Sequence, residues 1–169
     1  MPRAVAFSDA DFSHEKLRET TLNNISRLQN TFTMELLTLA LFIIITIGAV
    51  NDFAFLANLS APLAAKFGPS PPPDLISAFL ILYLFSAIIL ILSRMMSGSG
   101  KAGALSHVGY LTGFYGFYHL AGALKENFWA VCASGLTILI LESYHVWTYC
   151  SEEIEKEKEI LASLERKRE

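Results

Sequence analysis

The stretch Ala104-Leu-Ser-His-Val-Gly-Tyr-Leu-Thr-Gly-Phe-Tyr-Gly-Phe-Tyr-His-Leu-Ala-Gly-Ala-Leu124 decides how this chain is read. A polar turn, Lys125-Glu-Asn127, follows at once, and then a second apolar run from Phe128 to Tyr149. About 20 apolar residues suffice for one helix to cross the ~30 Å hydrocarbon core of a bilayer. The pair therefore reads as a membrane hairpin with spans at 104–124 and 128–149. Its first arm is rich in glycine, tyrosine and histidine, and its second carries Glu142-Ser-Tyr-His145 inside apolar sequence.

Two more spans lie upstream. Residues 36–50 hold no charge and end at Asn51-Asp52, which gives a span at 32–50. Residues 75–93 hold no charge either, and Arg94 stops them. Composition agrees: 53% of the 169 residues are hydrophobic and only 17% are charged, too apolar for an ordinary soluble domain. The expected fold is an all-α membrane protein, a four-span antiparallel transmembrane helix bundle over 32–149.

Polar ends flank this domain. Residues 1–31 read as a cytosolic amphipathic segment, with Leu17, Ile25, Leu28 and Phe32 on one helical stripe. Residues 150–169 read as a charged helix that carries the last span into water, with only a thin seam of Ile154, Leu161 and Leu164. Between spans one and two, Gly68-Pro-Ser-Pro-Pro-Pro73 requires an extended backbone. Asn58-Leu-Ser60 matches the glycosylation acceptor pattern and marks Asn58 as a candidate site.

Orientation follows from the basic residues. With four spans and both termini cytosolic, eleven of the 13 lysines and arginines lie inside, leaving Lys66 and Lys125 outside. That asymmetry is the positive-inside signature. The long charged ends and the Asn58 triplet point to a eukaryotic endomembrane over a bacterial inner membrane. The first 31 residues hold four basic and four acidic residues and no apolar core, so no cleavable leader is expected. No basic stripe suggests nucleic acid as a partner. Cys132 and Cys150 stand about 27 Å apart on one helix and cannot pair within it.

Ionisable residues inside a membrane usually face a bundle interior or water. Glu142, His145, His107 and Glu35 all fall in the cytosolic half of the expected bundle. Glu142 is the deepest, and His145 one turn away pairs with it only if the imidazole is protonated. Glu142, His145 and Glu35 are the candidates for ion or proton handling. His107 and His145 lie at similar depth on neighbouring helices, so they are also the candidate axial ligands of a b-type haem or a metal. No cofactor is otherwise expected. Glu142-x-x-His145 has di-iron spacing, but the further carboxylates such a site needs are missing. His119 lies near the opposite end with no counterpart at its depth.

Gly109-x-x-x-Gly113 and Gly116 form a small-residue face at which another helix can approach closely. The neighbour is either another span of this chain or a second subunit. Gly98-Ser-Gly-Lys-Ala-Gly103 is formally Gly-x-Gly-x-x-Gly, but it lacks the preceding strand that a dinucleotide site needs. Arg3-x-x-x-Phe7-Ser8-Asp9 resembles a short motif of a lysosomal and bacterial potassium-channel family. There it lies within the first span, whereas here it precedes a charged segment, so nothing is carried over. No nucleophile–base arrangement suggests a hydrolase. The expected function is that of an adaptor, assembly factor or accessory subunit working by helix–helix association, with the bilayer and a protein partner or second copy as its partners. The alternatives are an oligomeric transporter or channel subunit and a haem- or metal-binding redox protein.

Overall fold

A computed structural model describes residues 9–53, 70–100 and 103–166, with side chains from residue 14 onward. The described residues form four helices: α1 (Asp9–Val50), α2 (Pro73–Met96), α3 (Ala104–Leu120) and α4 (Leu124–Arg166). Three of them, α1, α2 and α4, are long and apolar enough to cross a membrane. The 17-residue α3 is the shortest, about 25 Å. It nevertheless meets α2 at two widely separated points, at Gly103 beside Arg94 and at Tyr118, whose hydroxyl lies 2.8 Å from Ser77 Oγ. Asn58, Lys66 and Lys101 lie outside the described residues.

The amphipathic segment and the first span are one helix, since no Gly or Pro interrupts residues 9–47. At 42 and 43 residues, α1 and α4 reach about 63 and 65 Å, roughly twice the hydrocarbon core. They run antiparallel and stay together throughout. Phe42 packs at Gly135, the Glu35 and Glu142 carboxyls interact, and Asn24 Nδ2 donates to Glu157 Oε1 at 2.8 Å. The polar ends are thus neither a surface helix and a free helix, but a two-stranded stalk.

The reason is a seam the composition hides. On α1, Thr21, Ile25, Leu28, Phe32, Glu35, Leu39, Phe42, Thr46 and Ala49 are all buried or half-buried, at alternating spacings of four and three. That is the repeat of helices that pair side by side. Leu17 was expected on the stripe, but it is exposed, and Thr21 takes the inward position.

Helix ends explain the turns. After α3, Gly122 adopts φ +67°, its N–H reaches His119 O, and Ala123 N–H reaches Tyr118 O. This is the Schellman arrangement, which needs a left-handed residue after the cap. It corrects the expected turn at 125–127: Gly122 ends the helix earlier, and Lys125, Glu126 and Asn127 belong to the first turn of α4. The same pattern closes α2 at Gly98 (φ +63°) and α1 at Asp52 (φ 50°). A Cβ at Gly122 would meet nothing within 4 Å among the described residues, so only backbone strain opposes one. Gly122→Ala is accordingly expected to lower stability by about 1–2 kcal/mol in thermal melts, without changing the assembled state.

Candidate functional site

All four helices meet in one polar cluster where the apolar part of the bundle joins the stalk. Glu142 of α4 is fully buried, and its Oε1 accepts from Arg94 of α2 at 3.2 Å. Gly103 precedes α3 so closely that a Cβ there would stand 2.6 Å from an Arg94 nitrogen and 3.0 Å from Glu142 Oε1. Glu35 of α1 is 4% exposed and accepts from the backbone N–H of Ala104, the first residue of α3. No side chain caps this helix from its own sequence. A carboxyl from α1 takes that place, where the helix dipole favours negative charge. The cluster is therefore a clasp: two carboxyls from α1 and α4 are drawn to the guanidinium of α2 and the N-terminus of α3.

The two histidines frame the clasp on separate partners. His107 Nδ1 is 2.7 Å from Tyr83 Oη, which ties α3 to α2. His145 Nε2 is 2.9 Å from the Ser99 carbonyl, and since a carbonyl only accepts, that nitrogen carries the hydrogen. His145 therefore pins the segment between α2 and α3 rather than pairing with Glu142, whose bonded partner is Arg94. The ring nitrogen held by Ser99 is not free to ligate a haem iron. Among the described residues no group of three or more His, Cys, Asp or Glu is placed to hold a metal ion.

Hydrogen bonding in the clasp is incomplete. Among the described residues, Glu35 Oε2, Glu142 Oε2 and Ser143 Oγ are buried without a partner. A buried polar oxygen without a donor is costly, and an ionised one more so. Next to the clasp, a cavity of about 340 Å³ is lined by Arg27, Thr31, Gly100, Tyr149, Cys150 and Glu153, among others. Thr31 lies one turn before Glu35, and Cys150 is within electrostatic reach of Glu35.

At the opposite end of α3, His119 Nδ1 lies 2.9 Å from Asp52 Oδ1, and Phe53 packs edge-on against its ring. His119 thus has a partner at its depth, supplied by the residue that ends α1. The glycines fall into two groups. Gly109, Gly113 and Gly116 face outward, and a Cβ on any of them would meet nothing within 4 Å among the described residues. The close approach inside the bundle occurs instead at Gly135, against the ring of Phe42. Gly135 and Arg94 are the residues sequence reasoning missed. The signal for Arg94 was available, because the one basic residue ending span two stands level with Glu142 in the antiparallel order.

The described residues form an all-helical four-helix chain with three helices able to cross a membrane, the make-up of an integral multi-pass membrane protein. No protein-family model, no curated protein and no solved structure matches the chain.

Proposed function

We propose that this is a four-span membrane protein with both termini in the cytosol, working as an adaptor, assembly factor or accessory subunit by helix–helix association. The outward glycines of α3 carry this reading. Each glycine in a helix interior costs up to about 1 kcal/mol relative to alanine. Gly135 returns that cost through close contact within the chain, whereas Gly109, Gly113 and Gly116 return nothing there. A helix of another polypeptide, seated against that face, supplies the missing contact. Beside the glycines, α2 and α3 leave an apolar groove of about 530 Å³ lined by Phe79, Tyr83, Tyr110, Phe114 and Phe117. Those aromatic walls favour a side-by-side helix. The four-span topology is supported by the contacts of α3 with α2 from Arg94 to Ser77 and by the charge asymmetry of the loops.

Gly109→Leu and Gly113→Leu are expected to abolish the assembled state, read as particle mass and co-eluting chains after purification in mild detergent. Gly113→Ala is expected to leave the fold intact. A wild type that purifies as a lone monomer from its own membrane, or leucine variants that assemble normally, would remove this proposal.

A further inference from the structure

We propose that Glu35 and Glu142 together hold one proton, making the clasp a proton-binding site inside the membrane domain. The site contains two carboxyl groups and, among the described residues, one compensating cation. The groups facing it from each helix are Glu35 on α1, Arg94 and Tyr83 on α2, His107 on α3, and Glu142, His145 and Cys150 on α4. Of these, His107 is engaged by Tyr83 and His145 by Ser99. Arg94 contacts a single carboxyl oxygen, Glu142 Oε1. With both acids ionised and the histidines neutral, the clasp carries one uncompensated negative charge and two buried oxygens that lack donors. One added proton supplies a donor and brings the two acids and Arg94 to neutrality. The cavity lined by Thr31, one turn before Glu35, and by Cys150 brings open space close to the clasp on the stalk side. This inference is independent of association through α3, because it uses the opposite side of that helix.

The test is an infrared spectrum of the purified protein in lipid bilayers at neutral pH, read in the carbonyl band of protonated carboxyls. The wild type is expected to show one protonated carboxyl per chain. Glu35→Gln and Glu142→Gln are each expected to remove it, since a single remaining acid is matched by Arg94. Glutamine keeps the shape and a donor, so both variants retain the fold, checked by their helical circular dichroism. A wild type without the band, or a band that persists in both folded variants, overturns the proposal. The wild-type spectrum decides even if a variant fails to fold, because Glu35 and Glu142 are the only buried acids among the described residues.

Discussion

Arg94→Met will destabilise the protein by about 3–5 kcal/mol, and adding Glu142→Gln to the same chain will recover most of the loss. The first figure is the usual cost of breaking a buried ion pair from one side. Glu142 has no exposed surface, and Arg94 is the only donor to its side chain among the described residues. Removing the guanidinium leaves a desolvated carboxyl whose two oxygens both lack donors. Removing the charge as well leaves a neutral amide of the same shape, which is far cheaper to bury. A double-mutant cycle, by reversible unfolding in mixed micelles, therefore reads a large favourable coupling. Additive effects of the two substitutions would show that the pair does not hold the helices together.

Gly135→Ala is the second large effect. The added methyl would enter the ring of Phe42, which is fully buried between α1 and α4 and stacked on Tyr115. Local separation is opposed because the same two helices are bonded again further along, from Asn24 to Glu157. Overpacking of this kind costs about 2–3 kcal/mol. Phe42→Leu in the Gly135→Ala background is expected to restore part of it by clearing the space. The comparison that gives this meaning is Gly113→Ala, which adds the same methyl where nothing lies within 4 Å. Its effect on the isolated chain is expected to be neutral or stabilising by up to about 1 kcal/mol. Thermal melts of the two alanine variants in one detergent check both directions.

Much of the fold could be read from the apolar runs. Residues 36–50 and 75–93 carry no charge, and the helices that contain them differ from expectation mainly at their ends. What escaped was pairing between distant segments. The α1 seam alternates apolar residues with Thr21, Glu35 and Thr46, so hydrophobicity alone does not trace it across the membrane boundary. Glu35 stands at the edge of an apolar run, a position that does not by itself decide burial. It is buried because it also occupies a seam position, facing α4. Glycines were judged by local spacing, yet the packed one, Gly135, has no glycine partner four residues away, and the regularly spaced ones face outward. For the polar cluster, depth placed Glu142, His145, His107 and Glu35 in one half of the bundle. Depth could not assign partners, which depend on how each helix is rotated about its axis.

The pairing of the first helix with the last has a consequence for synthesis. A ribosome delivers Glu35 to the membrane long before Ala104, and Glu142 later still. Until α4 emerges, the inward face of α1 has no permanent cover, and Arg94 of α2 lacks the carboxyl it pairs with. Chains truncated after α3 are thus left with an unpaired guanidinium and an open seam. The arrival of α4 closes the clasp and the stalk in one step.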